Sequence, residues 1–534
     1  MLLSLINVML YICLALLIGY FLLVRMPENS RPTLKVPEIQ LKLLILTIPI
    51  LLLIPVVSVV FTLYNQFSLP VAEAVNTVFL EYSIGQAFLI SLVLAIGLVV
   101  FLDKLKKSWM AFLIVSALIF LSSWSSHGAA VAGWFGFIGN SLHLLAVSVW
   151  IGTLSVVAWF SNDWNDPRRF FRWFSIVAAI AVVMIIGSGF MLMEAIVPEY
   201  VQAWLLSYGQ LLVMKHLLFL PLLAFGFHHF LLGNSKVDFE NKARLIKSFR
   251  IESLIALLVF TISAFMTEQT PPHEVAQTLQ TETISPVMKL FIGEQANIGA
   301  IHLSVTPITV LLVAIAIILF IVATRSLLRS GKLATTSALF IISILTLYTN
   351  LMVSVEIGGY EQDETVYQTL EEAVSATYHA NARIDLLLME QDQNEIHVVY
   401  SVDQQDLVAE KIVEAEGGYK RLPAAMLTIG GTAIVDEKQK IRTFRIQSGN
   451  WHNENYRYTY VTFGMIQEPN NVARVQIHYE GGSYIAPLHA TTFINVFSTN
   501  DNWADQHPID FLAEDGRVIE TYARNVMEEG VYCH

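Results

Sequence analysis

The sequence predicts an all-α polytopic membrane helix bundle of about ten transmembrane helices, followed by a small α+β extracytoplasmic domain. Three observations carry that prediction. Hydrophobic residues make up 55% of the 534 residues and charged residues only 14%, where a soluble domain carries about 25% charge. Apolar runs recur through the first two thirds of the chain at about 20 residues each, the length that crosses about 30 Å of hydrocarbon. Charge is partitioned: residues 1–355 hold 20 Lys+Arg against 16 Asp+Glu, whereas residues 356–534 hold 12 against 28, together the net −12 of the chain. This composition excludes a disordered chain, a nucleic-acid binder and a simple cytosolic enzyme.

The apolar runs are residues 2–24, 42–64, 80–102, 109–126, 134–160, 173–196, 205–232, 251–267, 305–324 and 333–355. The first has no basic segment ahead of it and no small-residue cleavage site, and Arg25 follows it, so it is expected to be retained. Lys and Arg in alternate loops set the orientation. Eighteen of them, from Arg25 to Lys332, fall on one side and only Lys289 on the other. The expectation is a multi-pass protein of the cytoplasmic membrane, with the N-terminus and residues 356–534 outside. Cys13 and Cys533 are too widely separated to suggest a disulfide framework.

The first domain is thus expected over 1–355 and the acidic second domain over 356–534. In the second, residues 364–382 read as a helix. β-rich runs follow at 383–389, 395–402, 425–431, 441–447, 456–463, 473–479 and 492–497, separated by turn signals such as Gly430-Gly431 and Gly481-Gly482, the pattern of an antiparallel sheet.

Ionisable side chains inside a membrane cost about 2.5–3.5 kcal/mol each on insertion scales, so they mark candidate sites. His143, Glu194, Lys215, His216, His228 and His229 lie within the runs, with His127 at the outer end of the fourth. His143 lies about 14 Å from the outer end of its helix and Lys215 and His216 about 15 Å from theirs, at 1.5 Å per residue. His127, Met193 and Glu194 mark an outer entrance, and His228 approaches the inner end. Imidazoles and thioethers suit copper, and Met191 and Met193 lie in the same helices. Asn140 shares a helix face with His143, and Trp150 falls two turns further along. Plain structural readings stand beside these: methionines as packing, His228 snorkelling to headgroups, Lys215 paired with Glu194, and Glu194 solvated at the interface.

These residues bear a resemblance. His127-Gly128-Ala129 followed by NSLHLLAVSVWIGT (140–153) resembles the signature of the copper resistance protein D (CopD) family: His143, Ala146, Trp150 and Gly152 match, and Thr153 replaces a Gly. GSGFML (187–192) and YGQLLVMK (208–215) are similar to the family's Gly-rich and Tyr-Gly…Lys segments. The resemblance covers roughly 80–270. It implies a multipass protein that takes copper inward, with a copper-site role for His127 and His143, a motif role for Tyr208 and Lys215, and an extracytoplasmic copper carrier as partner. The acidic C-terminal domain departs from the family pattern.

The leading expectation is a copper transporter, with metal ligands His127, His143, His216, Met193 and Glu194, and with Asn140, Trp150, Lys215, Met191 and His228 along the path. Two alternatives compete. One is a haem-binding or oxidase-assembly protein using His143 and His216 as axial ligands. The other is a sensor whose extracytoplasmic domain reads a ligand. No phosphate loop, HExxH or Gly-x-Ser-x-Gly is present to suggest an enzyme.

Overall fold

A computed structural model describes residues 2–522, apart from 66–68, 165, 235–241, 270, 273–274, 276–277, 280–281, 294–300, 330–331, 358–364, 377, 379–381, 393–394, 430–433, 435–437, 451–454, 468, 470 and 505–506. A few further side chains, His127 among them, lie outside the description.

The membrane part opens with α1 (Leu2–Val24), α2 (Glu38–Asn65), α3 (Val71–Leu80), α4 (Ser83–Val100), α5 (Leu102–Leu105) and α6 (Trp109–Trp124). It continues through α7 (His127–Phe160), α8 (Pro167–Ile196), α9 (Ser207–Asn234) and α10 (Lys242–Met266) to α11 (Pro286–Ile292), α12 (Pro307–Leu328) and α13 (Leu333–Val353). Among the described residues, nine helices are long and apolar enough to cross a membrane. The tenth expected run, 109–126, yields the 16-residue α6, about 24 Å long and so short of a full hydrocarbon core. The nine others fall on expected runs with shifted ends. α8 begins six residues early because Asp166 accepts a hydrogen bond from the Arg169 amide (3.0 Å) and Pro167 occupies the first turn, an N-terminal stop signal that extends the helix through its arginines.

Small residues set the closest crossing. Where α1 passes α7, a Cβ on Gly19 would lie 2.1 Å from the Gly152 carbonyl carbon, and one on Gly152 would lie 1.9 Å from the Ala15 oxygen. Only glycine permits that backbone contact, which helices use to pack in lipid. Gly152 therefore has a packing reason to stand two residues after Trp150. Inside α7, Ala132 and Gly133 leave helical geometry, and Gly133 takes φ 51°, so the spanning part starts at Ala132.

Two short ribbons tie loops together. β1 (Pro32–Leu34) pairs with β2 (Ser161–Trp164), and β3 (Ile301–Leu303) pairs with β4 (Val355–Ile357), both antiparallel.

The C-terminal region is mostly strand. β5 (Ile384–Asp392), β6 (Glu395–Val402), β7 (Asp406–Ala415) and β8 (Gly418–Ile429) form one antiparallel sheet in chain order. β9 (Gln439–Asn450) and β10 (Asn455–Ile466) join β13 (Thr492–Thr499) in the order β13-β10-β9. β11 (Arg474–Tyr479), β12 (Gly482–Pro487), β14 (Ile509–Leu512) and β15 (Val518–Thr521) form a sheet in the order β12-β11-β14-β15. Among the described residues, the helix expected over 364–382 is the six residues of α14 (Leu370–Ser375), capped by the Thr369 hydroxyl on the Glu372 amide. The seven expected strands are present with altered ends. Strands β7, β12, β14 and β15 were not anticipated. In β7 the reason is local: Leu407, Val408, Ala409 and Glu410 are all buried, so the apolar–polar alternation that signals a strand is erased. Glu410 is accommodated by Arg421, whose Nε and one terminal nitrogen reach its two oxygens at 2.7 and 2.9 Å.

Candidate functional site

A cavity of about 1390 Å³ opens among the helix ends that lie on the N-terminal side of the bundle. Its rim includes Leu3 and Asn7 of α1, Ser125 and Ser126 after α6, and Glu268 and Gln269 after α10. It runs inward between α1, α7, α8, α9 and α10 to a floor of Trp150, Phe219, Leu222 and Ala256. Trp150 is 1% exposed and meets Phe219 edge-on at 6.2 Å. Gly209 lets the start of α9 fold tightly against the preceding turn: a Cβ there would lie 1.9 Å from the Ala203 oxygen. That places Tyr208 and Lys215 on the cavity wall.

His143 of α7 faces α8. Its Nδ1 lies 3.1 Å from the Ser188 hydroxyl. That hydroxyl donates to the Met184 carbonyl at 2.6 Å, so toward the ring it can only accept. Nδ1 therefore carries the proton, and Nε2 keeps its lone pair. A hydrogen bond that fixes the tautomer in this way orients an imidazole for a metal. His216 of α9 shares the cavity; its Nδ1 lies 2.9 Å from the Tyr200 hydroxyl.

The structure brings His143, His216, Asn140, Trp150, Lys215 and Met193 to this one cavity. It does not bring the others. Glu194 is exposed and absent from the lining, and no ion pair joins it to Lys215; the helix turns it away from the wall that carries Met193, since successive residues are about 100° apart. Glu268 stands at the mouth instead, with its Oε1 3.4 Å from the Asn7 amide nitrogen. Met191 packs near Gly139, where a Cβ would lie 3.4 Å from its own. His228 lies beyond the floor beside His229, their rings 5.7 Å apart, so the expected ladder is interrupted. His127 begins α7, and its side chain lies outside the described residues. Among the described residues no three His, Cys, Asp or Glu side chains cluster closely enough to hold a metal.

Sequence reading missed a second polar centre. Glu252 of α10 is fully buried, its Oε2 3.1 Å from Nδ1 of His229. Phe249 stacks on that imidazole at 4.4 Å with a 5° interplanar angle. Glu252 follows Arg250 at the expected start of a span, where a charge reads as a boundary; its place almost three turns inside a helix that begins at Lys242 was the hidden signal.

Nine long apolar helices among the described residues and a cavity lined by His143 and His216 define a polytopic membrane protein with a polar internal site. Residues 168–266 match the family model for copper resistance protein D. That segment covers α8 from its second residue, α9 and α10, and leaves the His127–Thr153 stretch outside it. The chain is also 28% identical over 166 residues to "Copper transport protein CutJ" of Bacillus subtilis (strain 168), an alignment that spans 30% of each chain. No solved structure matches. Part of this multi-pass chain is thus similar to the CopD family, and the chain spans under a third of the length of the relative it matches.

Proposed function

We propose that the protein receives copper in this cavity and passes it inward across the cytoplasmic membrane. The observation that carries the reading is His143: a deep imidazole whose tautomer is set by Ser188 and whose Nε2 is left as a ligand. His216 and the Met193 thioether share its cavity, and both donor types suit copper. Several weak positions fit an ion that must also leave. The family and relative point the same way, through printed names that concern copper resistance and copper transport. In this reading Glu268 takes the entrance role expected of Glu194, and an extracytoplasmic copper carrier would deliver at the same mouth. The Lys/Arg asymmetry turns that mouth outward.

Two measurements test the proposal. Protease added to intact spheroplasts is expected to remove residues 356–534; a protected tail would reverse the orientation and the direction of transport with it. Purified protein in proteoliposomes is expected to accumulate copper, and a chain lacking residues 356–534 is expected to retain part of that flux. Loss of all function on tail deletion would favour the sensor reading. A Soret band with no copper uptake would favour haem between His143 and His216.

A further inference from the structure

We propose that His229 and Glu252 form a proton-binding site behind the cavity floor, holding one proton until the charge of copper at the floor releases it. The inference rests on the copper reading and names the ion that copper displaces. Glu252 is 0% and His229 1% exposed, with Oε2 3.1 Å from Nδ1. That contact lacks hydrogen-bond geometry, and neither Glu252 oxygen has another partner among the described residues. His229 is the titratable group that acts on the carboxylate. A carboxylate beside a neutral imidazole leaves one uncompensated negative charge inside a span, which is costly. One proton removes that charge, whether the pair is then imidazolium and carboxylate or imidazole and carboxylic acid. The surroundings are mostly apolar or engaged elsewhere. Phe249 stacks on the ring and Phe171 of α8 lies 5.8 Å from it. From α7, Ser155 and Trp159 bond to Ser253, and Arg250 donates to the Ala158 carbonyl at 3.1 Å. The other charged or titratable neighbours are His228 on α9, Arg244 and Lys247 toward the start of α10, and Arg168 and Arg172 on either side of Phe171.

The pair sits on the two helices that carry Leu222 and Ala256 of the floor. Glu252 stands one turn beyond Ala256, about 6 Å along α10, on the side away from the mouth at Glu268. Neither member of the pair lines the cavity. Such a position is closed to a hydrated metal ion but open to a proton, which needs only a chain of hydrogen-bonding groups. Nε2 of His229 lies 3.3 Å from the Ser248 hydroxyl, and Ser248 lies one turn nearer the start of α10. The released proton therefore leaves through the ring to Ser248, toward the face opposite the mouth. A cation at the floor offsets the carboxylate charge and makes the unprotonated pair tolerable. At roughly 10 Å and an effective dielectric of about 20, one positive charge changes the proton affinity of the pair by about tenfold. By reciprocity the proton weakens copper binding by the same factor.

Copper(II) added to the full-length protein in weakly buffered detergent, with a pH-sensitive dye for released protons and equilibrium dialysis for retained copper, tests this. At the pH of its maximum, wild type is expected to release roughly half a proton more per bound ion than Glu252→Gln, the most that a tenfold linkage allows. Its copper affinity is expected to fall about tenfold further on acidification than that of the variant. His229→Gln combined with Glu252→Gln replaces the pair by two neutral amides. It should match the single variant, and it decides the comparison if the single variant fails to fold. A pair that only braces α9 against α10 would leave proton release unchanged. If wild type retains copper but releases no more protons than the double variant at any pH, the proton site is refuted while the copper reading stands. If wild type retains no copper, the copper reading fails and the proton proposal with it.

Discussion

His143→Ala is expected to lower copper accumulation by about tenfold or more when copper is scarce, with an unchanged amount of protein in the membrane. Loss of a partner that merely orients a metal ligand lowers affinity about 10–100-fold, and loss of the ligand itself should do no less. The companion Ser188→Ala separates a ligand from a packing residue. It leaves the imidazole in place but removes the hydroxyl 3.1 Å from Nδ1, freeing the tautomer, and is expected to reduce accumulation by about tenfold, the lower end of that range. His216→Ala should matter less, because that ring is more exposed and already engaged by Tyr200. Uptake curves of His143→Ala that overlay wild type at every copper concentration would remove this residue from the path.

Arg421→Met is expected to destabilise the C-terminal β-rich region by about 3–5 kcal/mol, the range for removing one partner of a buried ion pair. Glu410 and Arg421 are 1% and 4% exposed. The carboxylate would keep only the Tyr400 hydroxyl, 2.9 Å away. Burial, reinforced by the Glu410 charge, pushes the Tyr400 phenol upward, so it remains a donor and cannot replace a cation. Glu410→Gln combined with Arg421→Met removes both charges and should recover much of the loss. Thermal unfolding of the full chain, followed by near-ultraviolet signals and by protease release of the tail, reads both effects. A single variant as stable as wild type would mean that water, and not Arg421, compensates the carboxylate.

Length and hydropathy made the bundle legible because, among the described residues, nine helices are long apolar runs with few charges inside them. Helix starts were less legible, since Asp166 and Pro167 begin α8 within a polar stretch. Of the expected site, His143, Lys215 and His216 were visible because an ionisable group deep in an apolar run stands out in any register. Glu194 misled because position along a helix gives depth but not azimuth. Glu252 was missed because a charge near a run's edge looks like its end. In the tail, strands with alternating exposure, such as β11 with Val475, Ile477 and Tyr479 buried, could be read directly. β7, buried on both faces, could not.

The floor formed by Trp150, Phe219, Leu222 and Ala256 sets a kinetic ceiling on any passage. On the proposed transport, a site reached from one side only cannot conduct as an open pore does, and the bundle must rearrange once for each ion that crosses. Collective helix motions take microseconds to milliseconds, which limits such a cycle to about 10³–10⁶ events per second. On that reading flux should saturate with copper on the side of the cavity mouth and fall steeply on cooling, as it does for a carrier whose slow step is the movement of its own helices.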